Sequence, residues 1–248
     1  MSYTAFSAFY DRLMAADFDY GKIADHIENL LDLCGCDAKL VCELACGTGN
    51  VTIPLAKRGY DMIAADISPD MLDIARKKAA DENLSDILFL NQNMTKIDLY
   101  GTVDAFLCMI DGINYCIAPE PLFNMFKKIK TCFLESGGVF IFDISSEYKL
   151  RNTVGNNTFV YNGDDIFYTW ENRFIEKKRL SDMYLTFFTR AGDGMYKRFA
   201  ERHLQRAYTA AELTKMLRAA GFEKIAVYDG FSFNSPRPDS ERLLFTAQ

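Results

Sequence analysis

The run Val41-Cys42-Glu43-Leu44-Ala45-Cys46-Gly47-Thr48-Gly49-Asn50 sets a glycine-rich turn between a short apolar segment and a helix-like one. Glycine lets the backbone turn sharply and lets a ligand come to contact distance, while the helix start behind it offers unpaired N–H groups. Asp66 closes the next apolar run, seventeen residues past Gly49. A carboxylate in that place accepts hydrogen bonds from ribose hydroxyls. Together the two features read as nucleoside recognition. A nicotinamide dinucleotide is the weaker choice, because the third glycine position of the G-x-G-x-x-G fingerprint holds Thr52. Glu43 would also set negative charge beside a pyrophosphate. A ligand carrying an ammonium and a sulfonium suits it better.

Residues fit for proton chemistry lie further along. Asp111 follows the fourth apolar run, and Glu201 and His203 sit in a strand-like stretch, 197–203. Period-two spacing puts Phe199, Glu201 and His203 on one face and Arg198, Arg202 and Arg206 on the other. A His–Glu pair so placed is either a catalytic base or, more commonly, a structural pair on a half-exposed sheet. The catalytic residue therefore stays unassigned. Tyr168, Trp170 and Phe174 share a strand face and, with Tyr184 and Phe188, are expected to pack a small sheet, to wall an acceptor pocket or to form a dimer seam. Cys34, Cys36, Cys42 and Cys46, with His26 nearby, match no paired CxxC spacing, and no metal is expected.

These residues need a scaffold. Apolar runs at 39–44, 61–65, 87–90, 103–109 and 138–144 alternate with helical stretches at 50–58, 69–82 and 119–134, the pattern of an α/β protein with a parallel sheet. Between 152 and 207 the rhythm changes to strands at 158–161, 166–175, 184–190 and 196–206, with turn signals at 162–164 and 192–194. A helix at 209–220 and strands at 222–228 and 243–246 then restore the first pattern. The expected fold is a Rossmann-like, doubly wound, mostly parallel seven-stranded sheet with an antiparallel β insertion. Residues 1–151 and 208–248 form its core, and residues 152–207 form an acceptor lid or a dimer element. Phe6, Phe9, Tyr10, Leu13 and Met14, at helical spacing, make an N-terminal amphipathic cap.

A formal net charge of −6 over 248 residues would repel a phosphate backbone, so nucleic acid is a poor partner. The chain shows no export signal and no apolar run near the roughly 20 residues of a bilayer span, and it carries an odd number of cysteines, seven. A cytoplasmic protein without disulfides or membrane contact is expected.

The segments E-L-A-C-G-T-G-N (43–50), A-A-D-I-S-P-D-M-L (64–72), Q-N-M (92–94) and C-M-I-D-G-I-N-Y (108–115) resemble the successive motifs of the class I S-adenosylmethionine-dependent methyltransferases. S-G-G-V-F-I-F-D-I (136–144) and A-A-E-L-T-K-M-L-R-A-A-G-F (210–222) extend the likeness over almost the whole chain. Y-D-R-L-M (10–14) and the insertion resemble the bacterial small-molecule branch, with its type 11 and type 25 groupings. The resemblance implies S-adenosyl-L-methionine as cofactor. Ala45, Gly47 and Gly49 would admit its methionine part, Glu43 would orient the amino group and Asp66 would hold the ribose. Ile67 and Met71 would sandwich the adenine, with Asn93 and Met94 at its edge. The family usually has an acid where Asn93 stands; an amide oxygen still accepts a hydrogen bond. Met109 would approach the methionine moiety, and Tyr10 would close over it. The implied activity is methyl transfer to a nitrogen or oxygen of a small-molecule acceptor. A non-catalytic cofactor binder and a nicotinamide-dependent oxidoreductase are the alternatives.

Overall fold

The computed structural model describes residues 7–14, 17–191 and 194–248, with the side chains of residues 7–9 and 13 left out. The expected cap contacts of Phe6, Phe9 and Leu13, and the turn at Gly192-Asp193, lie outside the described residues.

Local sequence explains where the elements start and stop. Helix α1 spans Ser7–Met14, and α2 spans Tyr20–Cys34. Helix α2 is capped by Asp19, whose carboxylate accepts from the Lys22 amide at 3.1 Å, and it ends on Gly35 at φ 65°. Its buried stripe, Ile23, Ile27, Leu30 and Leu31, faces the sheet, each side chain contributing about 1.5–3 kcal/mol. There follow β1 (Leu40–Leu44), α3 (Thr52–Lys57), β2 (Asp61–Asp66), α4 (Pro69–Asp81), β3 (Leu88–Asn91), β4 (Val103–Cys108), α5 (Pro119–Lys128) and β5 (Leu134–Ser145). Ser68 caps α4 and Pro69 opens it. The second sheet comprises β6 (Thr158–Asn162), β7 (Ile166–Ile175), β8 (Leu180–Arg190) and β9 (Tyr196–Arg206). Helix α6 (Ala210–Ala220), opened by a Thr209–Glu212 capping box, then leads to β10 (Ile225–Asp229) and β11 (Arg242–Ala247).

The main sheet has seven strands in the order β10-β11-β5-β4-β1-β2-β3, all running the same way except β11, which lies antiparallel between β5 and β10. Alternate residues feed its two faces: Phe106, Phe140, Phe142 and Phe245 pack beneath α5 and α6, and Leu107, Val139, Ile141 and Leu244 pack beneath α2. Strand β1 pairs in parallel with β2 on one side and β4 on the other, so the chain's winding reverses there. Such a reversal opens a crevice beyond the carboxyl ends of the strands.

Three expectations need correcting. The helix expected at 119–134 stops at Lys128, passes through a π turn at Ile129–Phe133 and gives way to β5 four residues before 138. Pairing with β4 jumps from Val103↔Leu134 to Ala105↔Val139. Glycines make that bulge: Gly137 has φ 83°, and a Cβ on Gly138 would lie 2.6 Å from the Asp104 carbonyl oxygen. Strand β8 begins at Leu180 rather than 184, because Arg179 at φ 52° closes a tight reversal that pairs Ile175 with Leu180. Register also separates the aromatic group: Tyr184 faces Glu171 and Phe188 faces Phe167, so both lie on the sheet face opposite Tyr168, Trp170 and Phe174.

Candidate functional site

The glycine-rich turn leaves the end of β1 with positive φ at Ala45 (52°), Gly47 (55°) and Gly49 (76°). An alanine in that region stores strain of the kind that clusters at ligand sites. Asp66, at the end of β2, anchors the turn. One of its oxygens accepts from the Gly47 amide at 2.9 Å and the other from the Ser68 amide at 2.8 Å, joining the turn to the start of α4. Burial raises the Asp66 carboxyl, and these donors work against that.

Above this anchor lies a cavity of about 660 Å³ that reaches from the β1 turn to the loop after β4. Tyr10, Ala45, Gly47, Asp66, Ile67, Met71, Asn93 and Met94 all line it. Ile67 is 65% exposed, a large apolar side chain held open beside a carboxylate. Gln92 and Thr95 add a polar edge, and Ile110, Gly112, Tyr115 and Cys116 form the far wall. Gly112 is required there, since a Cβ would lie 2.6 Å from Cys108 Sγ and 3.2 Å from Ala45 Cβ.

Glu43, Gly49 and Met109 stand behind the wall rather than in it. Glu43 is 2% exposed and accepts a hydrogen bond from the Thr52 hydroxyl, while burial pushes its carboxyl up to about 8. Thr52, which fills the third glycine position, is therefore the partner of this buried acid. Gly49 faces α4, where a Cβ would meet Ala75 Cβ at 3.3 Å. Met109 is buried on the α2 side of the sheet, and its neighbour Ile110, at φ 56°, turns toward the cavity instead. Asn93 lines the cavity with its oxygen already engaged: Oδ1 accepts from the Thr95 amide and hydroxyl, both at 2.9 Å, and so caps the 3-10 turn Met94–Lys96. The free acceptor oxygen expected from the sequence is thus a local cap.

Asp111 belongs to a buried ion-pair cluster. Arg242 Nη1 bonds Asp111 Oδ1 at 2.7 Å and also Asp143, whose Oδ1 accepts from the Ile110 amide at 2.6 Å. Burial opposes ionisation of Asp111, yet Arg242 outweighs it and holds that carboxyl below its ordinary value. Burial lifts the fully enclosed Asp143 to about 6 against the same arginine. The cluster fixes the two left-handed residues Ile110 and Asp111, and it leaves Asp111 acting as an anchor rather than a base.

Two arrangements reach beyond the sequence signals, although strand spacing had already paired Glu201 with His203. Asp11 on α1 accepts from the Thr48 hydroxyl, from Asn50 Nδ2 at 2.8 Å and from Lys78 Nζ at 2.7 Å, strapping the helix across the glycine-rich turn. That places Tyr10 on the cavity wall and against Ile166 and Phe187 of the second sheet. Burial raises the Tyr10 phenol well above its ordinary value. On the far wall, the Tyr115 hydroxyl lies 3.2 Å from His203 Nδ1, and His203 Nε2 lies 3.4 Å from Glu201 Oε2. The 3-10 turn Gly112–Tyr115 is held by Asn114, which donates to the Ser145 and Arg206 carbonyls and accepts from the Ser145 amide. Only the run containing Tyr115 stood out in the sequence, not the residue itself.

Residues 41–138 match the model of a methyltransferase domain family. The chain is 33% identical to "Putative methyltransferase YqeM" of Bacillus subtilis (strain 168), over 100% of this chain and 97% of the relative. It is similar in structure to an S-adenosylmethionine-dependent methyltransferase from Clostridium acetobutylicum ATCC 824, with a TM-score of 0.90, 35% identity and coverage of 99% and 98% of the two chains. The sugar N-methyltransferase KedS8 from Streptoalloteichus sp. shares the fold at a TM-score of 0.75 and 21% identity, over 96% of this chain and 91% of that one.

Proposed function

Because the chain belongs to the S-adenosylmethionine-dependent methyltransferases, we propose that it transfers the cofactor's methyl group to a nitrogen or oxygen of a small acceptor held between the loop after β4 and the second sheet. The observation that carries the reading is the cavity at the β1–β4 reversal, where an anchored carboxylate and an exposed apolar side chain share one wall. A ribose asks for the first and an adenine face for the second.

The lining fits this cofactor. Asp66 holds the ribose hydroxyls, Ile67 and Met71 cover the adenine, and Asn93 and Met94 border its edge. Ala45 and Gly47, with no side chain beyond a methyl, leave room for the methionine part. Tyr10 closes that end from α1, which Asp11 tethers. Glu43 supports the turn from below through Thr52. Bound there, the cofactor supplies an electrophilic methyl on a sulfonium, so in-line displacement needs alignment more than a protein nucleophile. The far wall, Ile110 to Cys116, and the inner face of β7, β8 and β9 then align the acceptor. The 152–207 insertion serves as acceptor lid, and the protein acts in the cytoplasm. Amino sugars are the first acceptors to try, in view of the neighbour named as a sugar N-methyltransferase.

Calorimetric titration with S-adenosylmethionine and, separately, with NAD tests the reading. One-to-one binding of the former alone is expected, followed by labelled-methyl transfer to an amine or alcohol. Binding of NAD alone overturns it. Cofactor binding without transfer to any acceptor in a broad panel identifies a non-catalytic binder.

A further inference from the structure

The second sheet carries a buried histidine and a buried glutamate on one strand face. His203 is 4% exposed and Glu201 8% exposed, on the inner face of β9. Burying an imidazole and a carboxylate in a small sheet is costly unless each finds a partner. They stand in series, Glu201 Oε2 within ion-pair distance of His203 Nε2 at 3.4 Å and His203 Nδ1 3.2 Å from Tyr115 Oη, and the series ends at a cavity wall. Tyr115 comes from the 3-10 turn after β4, on the side of the cavity opposite Asp66. The turn's position is fixed by Asn114, which bonds both β5 and the end of β9.

We infer that Tyr115, His203 and Glu201 form a proton relay for the acceptor, with Tyr115 as the catalytic residue and His203 and Glu201 as the pair that keeps it basic. The inference rests on the methyl-transfer reading and narrows it to acceptors that must lose a proton, an ammonium or a hydroxyl. As the acceptor's lone pair forms its bond to the methyl carbon, the carbon–sulfur bond breaks and its pair returns to sulfur. The acceptor's proton, lost from an ammonium before the attack or from a hydroxyl as the new bond forms, passes to Tyr115 Oη while the phenol's own proton moves to His203 Nδ1. The imidazolium so formed is balanced by Glu201. Solvent later takes one proton from the relay, which restores all three groups.

Among the described residues, several groups surround the imidazole. Tyr115 approaches from the 3-10 turn and Glu201 from the same strand, and the residue directly opposite on β8 is the non-titrating Met183. Arg202 and Asp182 lie on the outer face and bond each other twice at 2.7 Å. Tyr10 on α1 interacts electrostatically with Tyr115 and with Asp111.

Tyr115→Phe and His203→Gln test the relay; glutamine keeps an acceptor for the phenol while removing basicity. Labelled-methyl transfer is followed against pH with D-glucosamine as first probe, within a panel of amines and alcohols. Both variants are expected to lose roughly 100-fold in kcat, the scale of a lost general base, and the wild-type fall in rate at low pH is expected to vanish in His203→Gln. Cofactor affinity by calorimetry should stay within about twofold, well under the tenfold that 1.4 kcal/mol would give. The chain has two histidines, so 15N NMR with His26→Gln for assignment reads His203 directly. The expected result is the Nε2–H tautomer and an Nδ1 signal that moves in Tyr115→Phe. Unchanged kcat and pH profile in both variants with cofactor binding intact, or an Nδ1–H tautomer, overturns the relay. Failure of the wild-type protein to bind S-adenosylmethionine overturns the methyl-transfer reading instead.

Discussion

Replacing Asp66 by alanine removes the acceptor of two backbone donors, the Gly47 amide at 2.9 Å and the Ser68 amide at 2.8 Å, and with it the carboxylate that faces the cavity. Hydrogen bonds to a charged group are worth about 1.5–3 kcal/mol each, but water entering through the cavity re-solvates part of what is exposed. The net loss in cofactor binding is expected at about 1–3 kcal/mol, or roughly 5- to 150-fold in Kd. Calorimetry reads it directly, with thermal unfolding to show that the variant is folded. Asp66→Asn separates the two duties. It keeps one oxygen, able to serve a single backbone donor, and offers an NH2 that repels the other donor, so its Kd should fall between those of wild type and alanine. A folded Asp66→Ala protein whose Kd lies within twofold of wild type would refute the assignment of the ribose to this carboxylate.

Arg242→Met leaves Asp111 and Asp143 facing each other without their shared cation, inside a region where Asp143 is fully enclosed. Loss of about 3–5 kcal/mol of unfolding free energy is expected in urea titration, because a buried charge is left uncompensated. Glu43→Gln gives the opposite sign and a pH dependence. Burial raises the Glu43 carboxyl from 4.5 to about 8, so the folded state holds a proton that the unfolded state releases once pH passes the unfolded value. Native stability therefore falls between about pH 4.5 and 8, and glutamine, which still accepts from Thr52, removes that fall. The stability difference between variant and wild type should grow across this window toward an upper bound of about 4–5 kcal/mol and stay flat below pH 4, as followed by denaturation at a series of pH values.

The scaffold was legible because period and punctuation agree along the chain. Runs such as Ala105 to Cys108 are apolar throughout, as strands covered on both faces must be, and Ser68-Pro69 and Thr209 with Glu212 mark helix starts by hydrogen bonds within a few residues. Asp66 was legible for a similar reason: a carboxylate at the end of the second strand, after a glycine turn, has few roles open to it. The boundaries that misled were those set across strands. The bulge at Gly137-Gly138 answers to the Asp104 carbonyl, and the start of β8 is hidden by the polar Ser181 and Asp182, which only pairing with β7 and β9 reveals as strand.

Sequence alone determined the order of elements, the glycine turn and the acid that anchors it, since each depends on contacts within a few residues or on a repeat of the hydrophobic pattern. Tertiary structure decided which of the marked residues reach the cavity. Glu43, inside β1, and Met109 fell behind the wall, while Ala45 and Ile110, both turned to positive φ just past their strands, came forward. Distant segments decided the rest: Asp11 meets Thr48 and Lys78, Arg242 meets Asp111 across 131 positions, and Tyr115 meets His203 across 88. No local pattern encodes such meetings, because they arise from the packing of whole elements and from the few partners a buried polar group accepts.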